Sequence, residues 1–246
     1  VISKATLVLL CLWFALSSSL ASELPDVVAR IKPSVVAVGT MLYSRRPAGE
    51  FRGTGFAVLD GRHVITNAHV VQGFMTARRN HTDEFPAVFV GSGRKVAARR
   101  ATVVVLDREH DLALLRVDGD PLSPLTLAYD RLIREGETVA FTGFPVGTLL
   151  GMYPATHRGI VASITPITLP LRHGRTTSNS GLARISPYEV YQLDATAYPG
   201  NSGSPLYLPE NGWVVGVINK VFVRGDREQA GERPSGITYA IPAPHI

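Results

Sequence analysis

Cys11 is the only cysteine in the chain of 246 residues, and it lies in an apolar stretch near the N-terminus. No internal disulfide is possible, so the fold rests on burial and hydrogen bonds rather than cross-links. Metal-binding patterns are missing too. There is no HExxH and no Cys/His cluster, and His63, His81, His110, His157, His173 and His245 show no ligand spacing. The glycine-bearing stretch Gly143–Gly151 holds neither GxGxxG nor a GKS or GKT ending, which excludes those nucleotide sites. No metal and no other cofactor is expected. Long hydrophobic runs are absent: Leu7 to Leu16 amounts to about ten apolar residues, short of the ~20 that span a bilayer. The net charge is only +5. The densest basic group, Arg94, Lys95, Arg99 and Arg100, has no interleaved aromatic residues. It reads as a solvated strand or loop face, and no nucleic-acid partner is expected.

What remains is a chain that is 45% hydrophobic, with 23 glycines and 17 prolines. Lys4, the apolar run and the small residues ending Ser19-Leu20-Ala21 form a secretory signal pattern, expected to be cut after Ala21. The rest is then secreted or periplasmic, with no stable membrane span. Past Val27 come short runs rich in Val and Ile, cut by Gly and Pro. They include Ser34–Gly39, Gly55–Leu59, His63–Thr66, Pro86–Val90, Ala101–Leu106 and Leu112–Val117. The second half adds Thr138–Thr142, Gly159–Ile164, Tyr188–Leu193, Trp213–Ile218 and Thr238–Ile241. This pattern argues an all-β sandwich or barrel. Helical periodicity is confined to Leu24–Lys32 and a short stretch after His69. The Pro-rich run Asp118–Leu127 reads as a linker between two β halves, and Arg172–Ser186 as a mobile polar loop.

Three motifs stand in order: ITNAHVV around His69, HDLALL around Asp111, and YPGNSGSPL around Ser202. Alone, each has an ordinary reading: a half-buried histidine, a strand start and a polar turn. Together they supply a nucleophile, a base to take its proton, and an acid to orient the base, in the order His, Asp, Ser. His110 neighbours Asp111, but adjacent strand residues point to opposite faces, which takes it out of the constellation.

From about Leu24 to Pro242 the chain resembles trypsin-like serine proteases of the HtrA (Deg) family. The resemblance is carried by LPDVVARIKPSVVAVG, GTGFAVL, the three motifs, GFPVG at Gly143–Gly147 and ITYAIP at Ile237–Pro242. It implies two six-stranded antiparallel β-barrels with the active site between them. The expected division is a signal at 1–21, one barrel in 22–125 and the other in 126–246. It implies His69 as general base and acid, Asp111 as its orienter and Ser202 as nucleophile. The oxyanion donors would be the amides of Gly200 and Ser202, with Asn201 beside them. Ala197, Tyr198, Ile218 and Ile237 would line the substrate pocket. With no acid there, cleavage after apolar residues is expected. Protein or peptide substrates in extended form, a role in protein quality control and a homotrimer follow from the same resemblance.

Departures accompany it. Asn201 has no charge to pair with a new N-terminus, so activation by cutting is not expected; ordering of the Ala195–Ser202 loop would set activity instead. Ser204 stands where the family more often has Gly, with strain expected if that position needs positive φ. Only 44 residues of this sequence follow Ser202, fewer than the ~80–100 of a PDZ domain, so either a single-domain protease or a shortened chain is expected. Two rival readings use the same fold: a chaperone-like or partner-binding module with little turnover, and an esterase. The second is weakened because the lipase-type GxSxG is absent.

Overall fold

Val35, Val36, Ala37 and Val38 are buried one after another, yet they serve two cores. Val35 and Ala37 join an apolar cluster shared with residues of the second half of the chain, while Val36 and Val38 face the interior of the first half. A strand with both faces covered needs such an unbroken apolar run, because successive side chains point to opposite faces. The computed structural model describes residues 24–77, 83–93, 95–130, 132–145, 151–167, 188–219 and 237–246. The signal-like segment 1–21, Arg94, His81, His173, the segment Arg172–Ser186 and the side chain of Ile237 lie outside the described residues.

Two closed six-stranded antiparallel barrels make up the fold, as expected. The first contains β1 (Val35–Met41), β2 (Gly49–Val58), β3 (His63–Asn67), β4 (Phe85–Ser92), β5 (Lys95–Asp107) and β6 (Leu112–Val117). They close in the order β1-β2-β3-β6-β5-β4. The second contains β7 (Thr138–Gly143), β8 (Ala155–Ile167), β9 (Tyr188–Asp194), β10 (Pro205–Tyr207), β11 (Val214–Asn219) and β12 (Ile237–Pro242). They close as β10-β11-β12-β9-β8-β7. Closure removes the unpaired edges that an open sheet would expose.

The barrels meet along the shared cluster, with Phe56, Val58, Ile65 and Leu112 from the first and Phe144, Tyr207, Val217 and Ile241 from the second. Helix α1 (Leu24–Ile31) closes one side of this seam. Its buried residues Val27 and Ile31 are one turn apart, as an amphipathic helix requires. Both lie against Gly212, and Arg30 Nη2 donates to Asn211 O at 3.3 Å. Pro33 then ends the helix, since the residue before a proline disfavours the helical region.

Candidate active site

Helix α2 (Ala68–Ala77) starts directly from β3 and carries His69 as its second residue. The buried Val70 and Val71 anchor this first turn in the interior of the first barrel. The first N–H groups of a helix lack partners within it. Asp111 supplies two: its carbonyl accepts Ala68 N at 3.0 Å and its Oδ1 accepts His69 N at 2.8 Å. The same carboxylate reaches the imidazole, Oδ2 accepting from His69 Nδ1 at 2.7 Å. Asp111 therefore fixes both the helix start and the ring it carries. Its side chain is 14% exposed and that of His69 26%.

Asp111 does not begin a strand. It ends a tight turn at φ +55, a left-handed conformation that Asp tolerates better than most residues. Asp107 builds that turn, its Oδ1 accepting Glu109 N at 2.9 Å and His110 N at 3.1 Å. The expected separation of His110 from Asp111 is met for a different reason than strand alternation. His110 Nδ1 is bound to Asp107 Oδ2 at 2.7 Å, and its ring packs on Tyr188 and His245. Burial pushes the Tyr188 phenol well above the ordinary tyrosine range, with the Asp111 charge adding to it.

Sequence reasoning missed Asn219, at the end of β11. Its Nδ2 donates to Asp111 Oδ2 at 2.7 Å, a bond from the second barrel to the first. A bulge aims it there. Leu206 pairs with Gly216 but Tyr207 with Val214, so one residue of β11 is extra. Val214 and Val217 both face the seam, whereas Val215 and Ile218 face the second barrel's interior. Strict alternation from Val214 would point Asn219 into that interior; the bulge shifts the phase, so that Asn219 shares the seam face with Val217. The one signal in the sequence is a lone polar residue closing an apolar strand.

Ser202 is 7% exposed and lies on a loop that docks onto β2. β2 pairs with β3 only from Phe56 onward, which leaves the backbone around Thr54 free on that side. The loop takes it: Thr54 N donates to Ser202 O at 2.8 Å. Thr66 Oγ1, three residues before His69, donates to Thr54 O at 2.6 Å. Gly203, at φ +89, fits under this junction because a Cβ would collide with Thr54 O. Among the described residues, no hydrogen bond joins Ser202 Oγ to His69.

The segment Tyr198-Pro199-Gly200-Asn201 is a turn closed by Asn201 N to Tyr198 O at 3.0 Å. Pro at its second position and Gly200 at φ +98 at its third are the marks of a type II turn. Gly203 N and Ser204 N are also bonded, to Ile218 O and Asn201 O. Among the described residues, no acceptor takes the N–H of Gly200 or Ser202.

Asn201 and Ser204 are fully buried, and neither side chain has a hydrogen-bond partner. Among the described non-glycine residues only Leu59 and Asp111 have positive φ, so Ser204 carries no such strain. The demand for a left-handed backbone falls on the glycines beside it. Ala197 and Ile218 are buried in the interior of the second barrel. Tyr198 is partly exposed and packs on His157, whose imidazole burial pushes below the usual histidine range. Among the described residues, no group of three or more His, Cys, Asp or Glu could hold a metal ion, and no helix is long and apolar enough to cross a membrane.

The trypsin-like peptidase domain family matches residues 53–217, well over half of the chain. A probable periplasmic serine endoprotease, DegP-like, of Halomonas elongata is 30% identical over 194 residues, covering 77% of this chain and 32% of its own length. The serine protease Do-like HtrA of Bacillus subtilis is 29% identical over 247 residues, covering 93% of this chain and 48% of its own. The chain thus spans a third to a half of these curated relatives. In fold it is similar to a protease from M. tuberculosis solved in its active form, at a TM-score of 0.64 and 24% identity, covering 92% of this chain and 82% of the other. By motif, match and architecture alike, the chain belongs to the trypsin-like peptidase domain family, and within it resembles the HtrA/DegP proteases.

Proposed function

We propose that the chain is a serine endopeptidase that cleaves extended protein segments through an acyl-enzyme on Ser202. One observation carries this reading: from Pro199 to Ser204, the N–H groups that find no acceptor among the described residues are those of Gly200 and Ser202. Acyl transfer needs a pair of fixed donors beside the nucleophile, aimed at the oxygen that becomes charged.

The steps follow from the bonds. His69 Nδ1–H donates to Asp111, which leaves Nε2 to take the Ser202 Oγ proton as Oγ attacks the peptide carbonyl. The oxyanion forms against the Gly200 and Ser202 amides. The imidazolium is stabilised by the Asp111 carboxylate, which Asn219 and the His69 amide also hold. Collapse expels the amine, which takes the proton from Nε2. Water, deprotonated by the same nitrogen, then attacks the acyl carbon; the bond to Ser202 Oγ breaks, Oγ takes the proton back from Nε2, and the carboxylic acid leaves.

In this reading Tyr198 and Ile237 border an apolar pocket backed by the buried Ala197 and Ile218, so the residue before the cut is apolar. Secreted or periplasmic location extends to this chain the periplasmic location in the name of its DegP-like relative; a quality-control role is proposed from the resemblance to the HtrA family alone. The test is digestion of an unfolded protein by wild type and Ser202→Ala, with cut sites mapped by mass spectrometry. Cuts after aliphatic residues, absent in Ser202→Ala, support the reading. No cuts, or equal cutting after Arg, would contradict it.

A further inference from the structure

Thr54 sits fully buried in β2, on the far side of the seam from the loop it touches. Every polar atom it owns is engaged across that seam or beside it. Its Oγ1 donates to Gly200 O at 2.7 Å and accepts Phe144 N at 3.0 Å. Its N–H goes to Ser202 O and its carbonyl takes the Thr66 hydroxyl. We propose that Thr54 is the positioning residue of the oxyanion hole, its hydroxyl locking the turn that directs the Gly200 N–H.

The lock works through one peptide plane. The peptide between Gly200 and Asn201 is held at both ends, its N–H by Tyr198 O and its C=O by Thr54 Oγ1. Gly200 lies at φ +98 only while this plane and the preceding one keep their relative orientation. Reversing the Pro199–Gly200 peptide would turn a type II turn into type I, which takes the third residue to φ near −90°. The Gly200 N–H would then point away from the site and a carbonyl would replace it. Pro199 tolerates both turn types at that position, so its ring cannot make the choice. That choice falls to Gly200, which takes φ +98 without strain; the Thr54 hydroxyl, donor and acceptor at once, then holds the turn in place by bridging Gly200 O and Phe144 N. Valine keeps the shape but neither bond; serine keeps both.

The role belongs to the reaction proposed above and rests on it. Thr54→Val, Thr54→Ala and Thr54→Ser are compared with wild type on a chromogenic peptide amide, with thermal unfolding measured for each. In Thr54→Val and Thr54→Ala, kcat falls about tenfold or more, approaching the hundredfold cost of a lost oxyanion donor. KM stays within about twofold, because ground-state binding does not use the hole. Affinity for a peptide aldehyde, whose adduct places an oxyanion in the hole, falls in parallel with kcat. Thr54→Ser restores kcat and aldehyde affinity to within about threefold. Wild-type kcat in Thr54→Val, a loss carried by KM, or failure of serine to rescue overturns the assignment. Loss of the fold in both Thr54→Val and Thr54→Ala overturns it in favour of a purely structural role. An inactive wild type overturns both this and the acyl-enzyme reading, whereas an active wild type matched by Thr54→Val overturns this one alone.

Discussion

Replacing Asn219 with Ala removes one of three donors to the Asp111 carboxylate and leaves the other two, the His69 ring and the His69 amide. Asp111 stays placed, because its carbonyl and Oδ1 still cap α2. What is lost is a hydrogen bond to a charged group, about 1.5–3 kcal/mol. The Asp111–His69 pair carries full opposite charges only as the reaction proceeds, so the loss appears in the barrier. At 1.36 kcal/mol per tenfold, kcat falls about ten- to a hundredfold. Asp111→Asn removes the charge itself and permits the wrong ring tautomer, a change worth about 10⁴ in kcat. Asn219→Ala must therefore be the milder of the two by a factor of about a hundred or more. Steady-state kinetics on a peptide amide give kcat and KM for both variants, and thermal unfolding shows whether each is folded. A folded Asn219→Ala within threefold of wild-type kcat would refute the proposal that the second barrel helps hold the Asp111 carboxylate. So would a loss equal to that of Asp111→Asn.

Other consequences concern stability. Gly203→Ala would place a Cβ at φ +89 against Thr54 O and 2.5 Å from Thr66 Oγ1. The left-handed backbone alone costs about 1–2 kcal/mol, so its denaturant midpoint should fall and activity with it; an unchanged midpoint counts against this docking geometry. Ser204→Ala removes a buried hydroxyl that has no partner, a penalty of about 1–3 kcal/mol. Its melting temperature should rise, by about 2–4 °C per kcal/mol; a fall would show that the hydroxyl is bonded. The Thr40 hydroxyl foremost, with Arg45, holds the Glu84 carboxyl below the ordinary glutamate range despite its burial. A depressed folded-state value gives stability that is present above the unfolded value, about 4.3, and lost as pH falls through the folded one. Glu84→Gln should thus melt below wild type at neutral pH, with the gap closing in acid; a gap that persists at low pH would refute the carboxylate's role.

The strand runs were legible because burial on both faces writes itself as consecutive Val and Ile, as in Val35 to Val38 and Val214 to Ile218. Strands carrying charge were legible only in part. β5 begins at Lys95, six residues before the apolar run, in a stretch where Lys95, Arg99 and Arg100 break the apolar pattern; Arg100 lies over the Phe85 ring at 3.8 Å. The short β10 was hidden inside the serine motif. His69, Asp111 and Ser202 could be named because each sits in a recognisable local phrase. Asn219 and Thr54 could not. Asn219 owes its aim to a bulge, which shifts the phase of a strand without leaving a mark in composition. Thr54 owes its importance to a bond with Gly200, 146 residues away. Ser204 drew suspicion by its type, but the unusual backbone belongs to Gly200, Gly203 and Asp111. Residue type signals chemistry well and conformation poorly wherever long-range contacts decide the angle.

In the proposed reaction Ser202 is a nucleophile activated by His69 and Asp111. A fluorophosphonate probe with intact-mass and peptide mapping tests it directly. One adduct per chain is expected, on Ser202, absent in Ser202→Ala and slowed at least about a hundredfold in His69→Ala. An unlabelled wild-type chain, or labelling at equal rate in His69→Ala, would contradict it.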